Sequence, residues 1–211
     1  MESLHVHLLG GLAVYRGDRP LRGFPTQKSR GLFAYLALHH GRLHSRQVLV
    51  GRFWGDSPEG VARKNLRTDL WRIRSVLEEG AAPGWCVCAG RDQVGFNVQD
   101  HWLDVHEFED RLDRAAGDRG EPPTQAQAAL LREAVELYRG DLLEGVYDEW
   151  CLFERERLRL RYLDALERLG AHHHARGEWA REAACAQRLL AHDALREHVH
   201  RELMRCHLAL G

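Results

Sequence analysis

A chain of 211 residues, 44% hydrophobic and 29% charged, can hold one large domain or two small ones around a real core, with the composition of an ordinary soluble globular protein. Five cysteines at unrelated spacings argue against a disulfide framework and for a reducing cytoplasm. The lack of a charged-then-apolar leader, or of any apolar run of about 18 residues, argues against a signal peptide or a membrane span. The net charge of -1 conceals an asymmetry: residues 1–97 carry a net +6 and residues 98–211 a net -7. Two domains with different partners are expected, and only the first suits a polyanion.

In chain order, Leu4, Val6 and Leu8 alternate with Ser3, His5 and His7, as a half-buried strand does. Gly10-Gly11 turns the chain into a second strand over 12–15, and Gly17-Asp18 turns it again into Pro20-Leu21, completing a small antiparallel meander. Thr26 suits the cap of a helix with Leu32, Phe33, Leu36 and Ala37 at helical spacing, ended by Gly41. Ser45 caps a shorter helix with Val48, Leu49 and Phe53 inward, ended by Gly55.

A third helix is expected over 57–79, with Ser57 as N-cap, Pro58 as its first residue, Glu59 at the positive end of its dipole and Gly80 as its stop. Ala62, Leu66, Leu70, Ile73 and Leu77 fall on one stripe. The far side carries Lys64, Thr68, Trp71, Arg72 and Ser75, with Arg67 and Arg74 on a flank. Five cations from Arg63 to Arg74 meet one acid, Asp69, whereas a solvated helix face usually mixes signs. Three helices with short capped connections, the third one basic, suggest a helix-turn-helix variant.

Beyond an Ala-Pro-Gly loop, strands are expected over 85–89 and 94–98, around Gly90-Arg91-Asp92-Gln93. A hairpin directly after a basic helix, with Arg91 at its tip, has the form of a DNA-binding wing. Cys86 and Cys88 share one face by alternation but have no second Cys/His pair, so they are read as core rather than zinc ligands. From about Asp100 the pattern becomes wholly helical. Val105, Phe108 and Leu112 lie in a helix ended by Gly117, and a loop covers 117–124. Stripes follow at Leu130, Ala134 and Leu137; at Leu158, Tyr162, Ala165, Leu166 and Leu169; at Ala183, Ala186 and Leu190; and at Leu195, Val199, Leu203, Cys206 and Leu210. Breaks at Arg139-Gly140-Asp141, Gly177 and His192-Asp193-Ala194 make antiparallel helix pairs, and hence a helical-repeat domain.

This order of parts resembles the SARP-type bacterial transcriptional activators, which join an OmpR/PhoB-type winged helix to a bacterial transcriptional activator domain of tetratricopeptide-like helices. The resemblance is carried by LLGGLAV and GDRPL near the start, by Gln27-Lys28-Ser29-Arg30, and by Phe53-Trp54-Gly55-Asp56. Ala62-Arg63-Lys64-Asn65-Leu66 with Ile73-Arg74, and Val94-Gly95-Phe96, add to it. So do Leu103-Asp104-Val105-His106-Glu107-Phe108-Glu109 and Tyr138-Arg139-Gly140-Asp141-Leu142-Leu143. It implies an α+β winged helix-turn-helix over 1–98 and an all-α tetratricopeptide-like domain over 99–211. It also implies an activator that binds promoter direct repeats, self-associates on DNA and contacts RNA polymerase. Members usually carry Pro where this chain has Asp193-Ala194, and they continue past the position of Gly211, so a longer protein or a short member is implied. No receiver domain precedes the winged helix, so control by aspartyl phosphorylation is not suggested.

The chemistry agrees with double-stranded DNA as partner. A major groove admits an α-helix, in which Arg pairs bidentately with guanine and Thr packs on thymine. Lys64, Thr68, Trp71 and Arg72 point outward as the stretch that can lie against base edges, Trp71 packing on sugar-phosphate rather than intercalating; Arg67, Arg74 and Arg91 mostly hold phosphates, and which of the seven touches a base stays open. An enzyme is not expected. His172, His173 and His174 are consecutive on a helix and spread around it, and no catalytic triad, glycine-rich phosphate loop or Cys-x-x-Cys occurs. No metal, cofactor or membrane is expected as partner. The rival reading is a helical-repeat adaptor whose winged helix no longer binds DNA; it predicts acids on the outward face of the third helix.

Overall fold

The computed structural model describes residues 3–78, 87–96, 101–117 and 121–211, and is mostly helical with sheet confined to the N-terminal half. Its strands are β1 (Leu4–His7), β2 (Ala13–Arg16), β3 (Arg19–Pro20), β4 (His44–Ser45), β5 (Val87–Ala89), β6 (Gln93–Phe96) and β7 (His101–Leu103). Its helices are α1 (Gln27–Leu38), α2 (Arg46–Trp54), α3 (Glu59–Leu77), α4 (Asp104–Arg114), α5 (Gln125–Leu137), α6 (Glu149–Ala175), α7 (Trp179–His192) and α8 (Glu197–Leu210). Contacts divide the chain into two compact units, Met1–His106 with Leu142–Phe153, and Glu107–Asp141 with Glu154–Gly211.

In the first unit the expected meander forms, β1–β2–β3 antiparallel, with the second strand shifted one residue to Ala13–Arg16. The chain is not wholly helical after residue 100: β7 pairs parallel with β1, Leu4 opposite His101 and Val6 opposite Leu103. Three residues running straight into a helix leave no period-2 signal. A buried carboxylate anchors this junction. Asp104 accepts the Leu8 N–H at 2.9 Å and the Leu9 N–H at 2.9 Å, and also the Val105 N–H at 2.8 Å. Charge-assisted bonds of this kind satisfy amides that the end of β1 leaves unpaired.

Thr26 caps α1 as expected, its hydroxyl accepting the Ser29 N–H at 3.0 Å while Ser29 reaches back. Leu32, Phe33, Leu36 and Ala37 are all buried. Ser45 caps α2 by accepting from the Gln47 N–H, and Leu49 and Phe53 turn inward. Val48 does not: it is 52% exposed, because one step along a helix is a rotation of about 100° away from the Leu49–Phe53 line. The start of α3 also differs from expectation. Pro58, not Ser57, is the N-cap, with no side-chain cap bond; the Pro58 carbonyl receives the Val61 and Ala62 amides at 2.9 Å. α3 ends at Leu77 with Glu78 as its C-cap, two residues before the expected end at Glu79; Glu79 and Gly80 themselves lie outside the described residues.

A second sheet, in the order β4–β6–β5, joins the start of α2 to the hairpin that follows α3. Trp85, Cys86, Asn97 and Val98 of the expected hairpin lie outside the described residues, as does the Ala-Pro-Gly loop. Residues 142–153 group with this first unit. Leu142 bridges to Leu9, the Leu143 N–H donates to the Leu8 carbonyl at 2.9 Å, and Lys28 pairs with Asp148 at 2.6 Å. Trp150 packs edge-on against Tyr35 at 5.3 Å.

The second unit is helical. Thr124 forms a capping box with Gln127 at the start of α5, although residues 118–120 of the expected loop lie outside the described residues. Buried positions on α5 are Ala128, Leu131, Ala134 and Val135, so the core stripe runs through Leu131 rather than the expected Leu130 and Leu137. On α7, Leu189 is buried in place of Leu190. Adjacent leucines satisfy helical spacing equally well, and only packing decides between them. Leu158, Tyr162, Ala165, Leu166 and Leu169 are buried as expected. On α8 Val199 and Cys206 are buried, whereas Leu195 precedes the helix at 89% exposure and Leu210, in its last turn, is also exposed. Tyr138 stacks on Tyr162 at 4.2 Å, and Arg188 donates to the Tyr162 hydroxyl and the Val135 carbonyl at 3.0 Å each.

Candidate nucleic-acid interface

The helix α3 packs on α1 and α2 through Ala62, Leu66, Leu70, Ile73 and Leu77, all buried. With that stripe fixed inward, Lys64, Arg67, Thr68, Trp71 and Ser75 share the opposite face at i, i+3, i+4, i+7 spacing. Lys64 and Arg67 are exposed, Thr68 is half-buried, and Trp71 is 67% exposed. A large aromatic so exposed between cations is the least expected feature of a purely solvated helix. Thr68 and Ser75 return their hydroxyl protons to the Lys64 and Trp71 carbonyls, at 3.0 and 2.9 Å. Their oxygens keep acceptor capacity.

Asp69 changes the electrostatics of this face. It is buried, and its carboxylate accepts from Arg72 Nη1 at 2.9 Å. Glu59 pairs with Arg63 at the first turn. Thus the acid that sequence spacing places among the cations is withdrawn from the surface, and Arg72 is held by it with its side chain 36% exposed. The signal was present in the sequence: position 69 lies three after Leu66 and four before Ile73, inside the buried arc.

Arg74 is not on the open face. Its Nε and Nη2 donate to the Val87 carbonyl of β5 at 3.2 and 2.7 Å, and Glu78 accepts the Val87 N–H at 3.4 Å. Arg91 is exposed in the turn between β5 and β6. That turn is closed by Gly90 N–H donating to the Gln93 carbonyl at 2.9 Å. It is tied to α2 by Arg46, whose backbone N–H donates to the Asp92 carbonyl at 2.9 Å and whose Nε donates to the Gly90 carbonyl at 3.2 Å. Sequence reading overlooks Arg46, because a residue 44 positions before its partner gives no periodic signal. The structure therefore groups Lys64, Arg67, Thr68 and Trp71 on one face, sets Arg72 at its edge, and places Arg74 and Arg91 at the inner and outer parts of the hairpin.

His44 supports the same sheet from below. It pairs with Val94 in the ladder and is 5% exposed, and its ring lies 5.0 Å from that of Tyr35 and 5.4 Å from that of His39. Burial, and then the nearby His39, Arg42 and Arg52, lower its pKa to about 4. Among the described residues no group of three or more His, Cys, Asp or Glu is placed to hold a metal ion. The three consecutive histidines of α6 go to separate partners: His172 to the Pro123 carbonyl at 2.6 Å, His173 to Glu178 at 2.6 Å, and His174 to Glu182 at 3.0 Å. Cys86 and the side chain of Cys88 lie outside what is described. Among the described residues no helix is long and apolar enough to cross a membrane.

Comparison with known proteins adds a family. The bacterial transcriptional activator domain matches residues 103–211. Regulatory protein AfsR of Streptomyces coelicolor is 29% identical over 157 residues, covering 74% of this chain and 15% of AfsR. Transcriptional regulator RedD of the same organism is 31% identical over 184 residues, covering 83% of this chain and 51% of RedD. Regulatory protein DnrI of Streptomyces peucetius is 26% identical over 152 residues, covering 68% of this chain and 55% of DnrI. The chain thus spans from about one seventh to about half of the relatives it matches. Among solved structures, Mycobacterium tuberculosis EmbR in complex with low affinity phosphopeptide superposes with a TM-score of 0.80 at 20% identity. That match covers 99% of this chain and 55% of the other, and the likeness is one of fold.

Proposed function

Because the chain belongs to the bacterial transcriptional activator domain family of SARP-type activators, we propose that it is a sequence-specific DNA-binding regulator, with residues 1–98 as a winged helix-turn-helix domain and 99–211 as a tetratricopeptide-like interaction domain. The observation that carries this reading is the open face of α3, where Lys64, Arg67, Thr68, Trp71 and Ser75 meet solvent while Asp69 is buried. In this proposal α3 enters the major groove, where Thr68 and Arg72 reach base edges and Lys64 and Trp71 lie against them or the adjoining sugar-phosphate. Arg67 and Arg91 hold phosphates, Arg91 from the hairpin tip. The negatively charged second half is repelled by DNA and is the part assigned to protein partners: RNA polymerase and neighbouring protomers on direct repeats.

The test is gel-shift and footprinting of the full chain on DNA upstream of neighbouring genes, over a range of salt. Log K is expected to fall linearly with log salt, by about 0.9 per neutralised phosphate. Protection should repeat along the DNA at the spacing of the direct repeats. An absence of salt-sensitive binding at modest ionic strength sinks the reading in favour of an adaptor.

A further inference from the structure

Val87 opens β5, the edge strand of the β4–β6–β5 sheet. In an antiparallel ladder a residue's N–H and C=O point to the same side, and at an edge half of these pairs have no strand to meet. At Val87 both groups are met by side chains four residues apart, Arg74 in the last turn of α3 and Glu78 at its C-cap. Arg74 brings two N–H donors to the carbonyl at 3.2 and 2.7 Å, and Glu78 brings a carboxylate to the N–H at 3.4 Å. The chemistry is matched in sign, cation to carbonyl and anion to amide. Arg74 is partly buried in doing so, while Lys64 and Arg67 on the same helix remain exposed.

Other polar ties hold the hairpin too: the Gly41 N–H donates to the Phe96 carbonyl at 3.2 Å, β4 pairs with β6, and at the far end Arg46 of α2 holds the Gly90 and Asp92 carbonyls beside Arg91. The open edge of β5 is therefore held by α3, β6 by Gly41 and β4, and the turn by the start of α2. From this we infer that Arg74, with Glu78, is a positioning residue: it locks β5 onto α3 and so fixes where the Arg91 tip stands relative to the Lys64–Trp71 face. This rests on the DNA-binding reading for its consequence, though not for the clamp itself. It replaces a phosphate-holding role for Arg74. The planar fork of Arg offers two donors to one carbonyl, which a Lys ammonium on a flexible stem does not reproduce.

Two measurements on the full chain decide it. The first needs no DNA: amide hydrogen exchange across residues 87–89 in the wild type, Arg74→Gln and Arg74→Lys. Both variants are expected to lose about tenfold in protection there, with α1 unchanged. Protection equal to the wild type in both overturns the clamp. The second is a double-variant cycle in DNA affinity. Arg74→Gln and Arg91→Ala are each expected to lose about tenfold, and the double variant to be no weaker than Arg91→Ala alone, because the first acts through the second. Additive losses, or full affinity in Arg74→Lys, make Arg74 a direct phosphate contact and overturn the inference. A wild type without any salt-dependent DNA binding refutes the DNA-binding reading alone, and the exchange measurement still decides the clamp.

Discussion

Nη2 of Arg74 lies 2.7 Å from the carbonyl oxygen of Val87, 13 residues further along the chain. The relationship matters because it divides a run of cations that composition treats as uniform. Arg63 is paired with Glu59, Arg72 with buried Asp69, and Arg74 with the hairpin backbone. Lys64 and Arg67, one turn before Thr68 and Trp71, are left on the open face.

Lys64→Ala and Arg67→Ala are each expected to weaken DNA binding and to reduce the salt slope, Arg67→Ala uniformly on every sequence and by about 0.9, as a single phosphate contact does. Exposed positions of this kind should leave folding stability within about 0.5 kcal/mol of the wild type. Fluorescence anisotropy at several salt concentrations, with urea unfolding alongside, measures both. An unchanged slope in either variant removes that residue from the interface.

Arg72→Ala is expected to show two effects at once. If the guanidinium pairs with a base, discrimination at that position falls by about 1–3 kcal/mol. Buried Asp69 also loses its 2.9 Å partner, which is expected to cost about 1–3 kcal/mol in stability. Binding to a panel of single-base operator variants separates the two. Uniform loss across the panel makes Arg72 a phosphate contact.

His44 predicts a pH dependence of the first unit. Its folded-state pKa of about 4 lies below the ordinary 6.5, so between these values the unfolded chain binds the proton and the folded one does not. Its contribution is complete above pH about 6.5 and is lost as pH falls toward about 4, by on the order of 1–3 kcal/mol. Urea midpoints at pH 7.5 and pH 5 should differ more in the wild type than in His44→Phe, and equal differences refute the assignment.

Asp104→Ala removes the acceptor for the Leu8, Leu9 and Val105 amides. Because the site is buried, stability is expected to drop by about 2–4 kcal/mol. Chemical denaturation gives the number, and a loss below about 0.5 kcal/mol would show that water replaces the carboxylate.

The parts most legible in the sequence are those where one physical signal decides. The α3 stripe from Ala62 to Leu77 follows from 3.6-residue periodicity, and the caps at Thr26 and Ser45 from side-chain acceptors ahead of apolar spacing. Where two neighbouring residues satisfy the same periodicity, packing chooses: Leu131 over Leu130, Leu189 over Leu190. Pairings distant in sequence have no local signature at all, as with β7 on β1 and Arg46 on the hairpin turn. On the candidate face, residue types and their spacing are readable, as is the i,i+3 pairing of Arg72 with Asp69, but the carbonyl that occupies Arg74 belongs to another element. Counting cations therefore overstates how many are available to a ligand.

The return of residues 142–153 to the first unit bears on how the protein is made. Leu142, Leu143 and Trp150 meet Leu9, Leu8 and Tyr35, which leave the ribosome more than a hundred residues earlier. At a synthesis rate of about 5–20 residues per second, the interval between residue 106 and residue 153 is roughly 2–9 s. During that time α1 and β1 are on hand without their last neighbours. A fragment ending at residue 98 lacks residues 142–153 permanently, and β7 and Asp104 as well, so it should show weaker protection of α1 and a greater tendency to aggregate than the full chain. Removing residues 142–153 thus costs the first unit part of its own core, whereas a cut after residue 153 divides α6 and strands residues 107–141, so the two units belong in one chain.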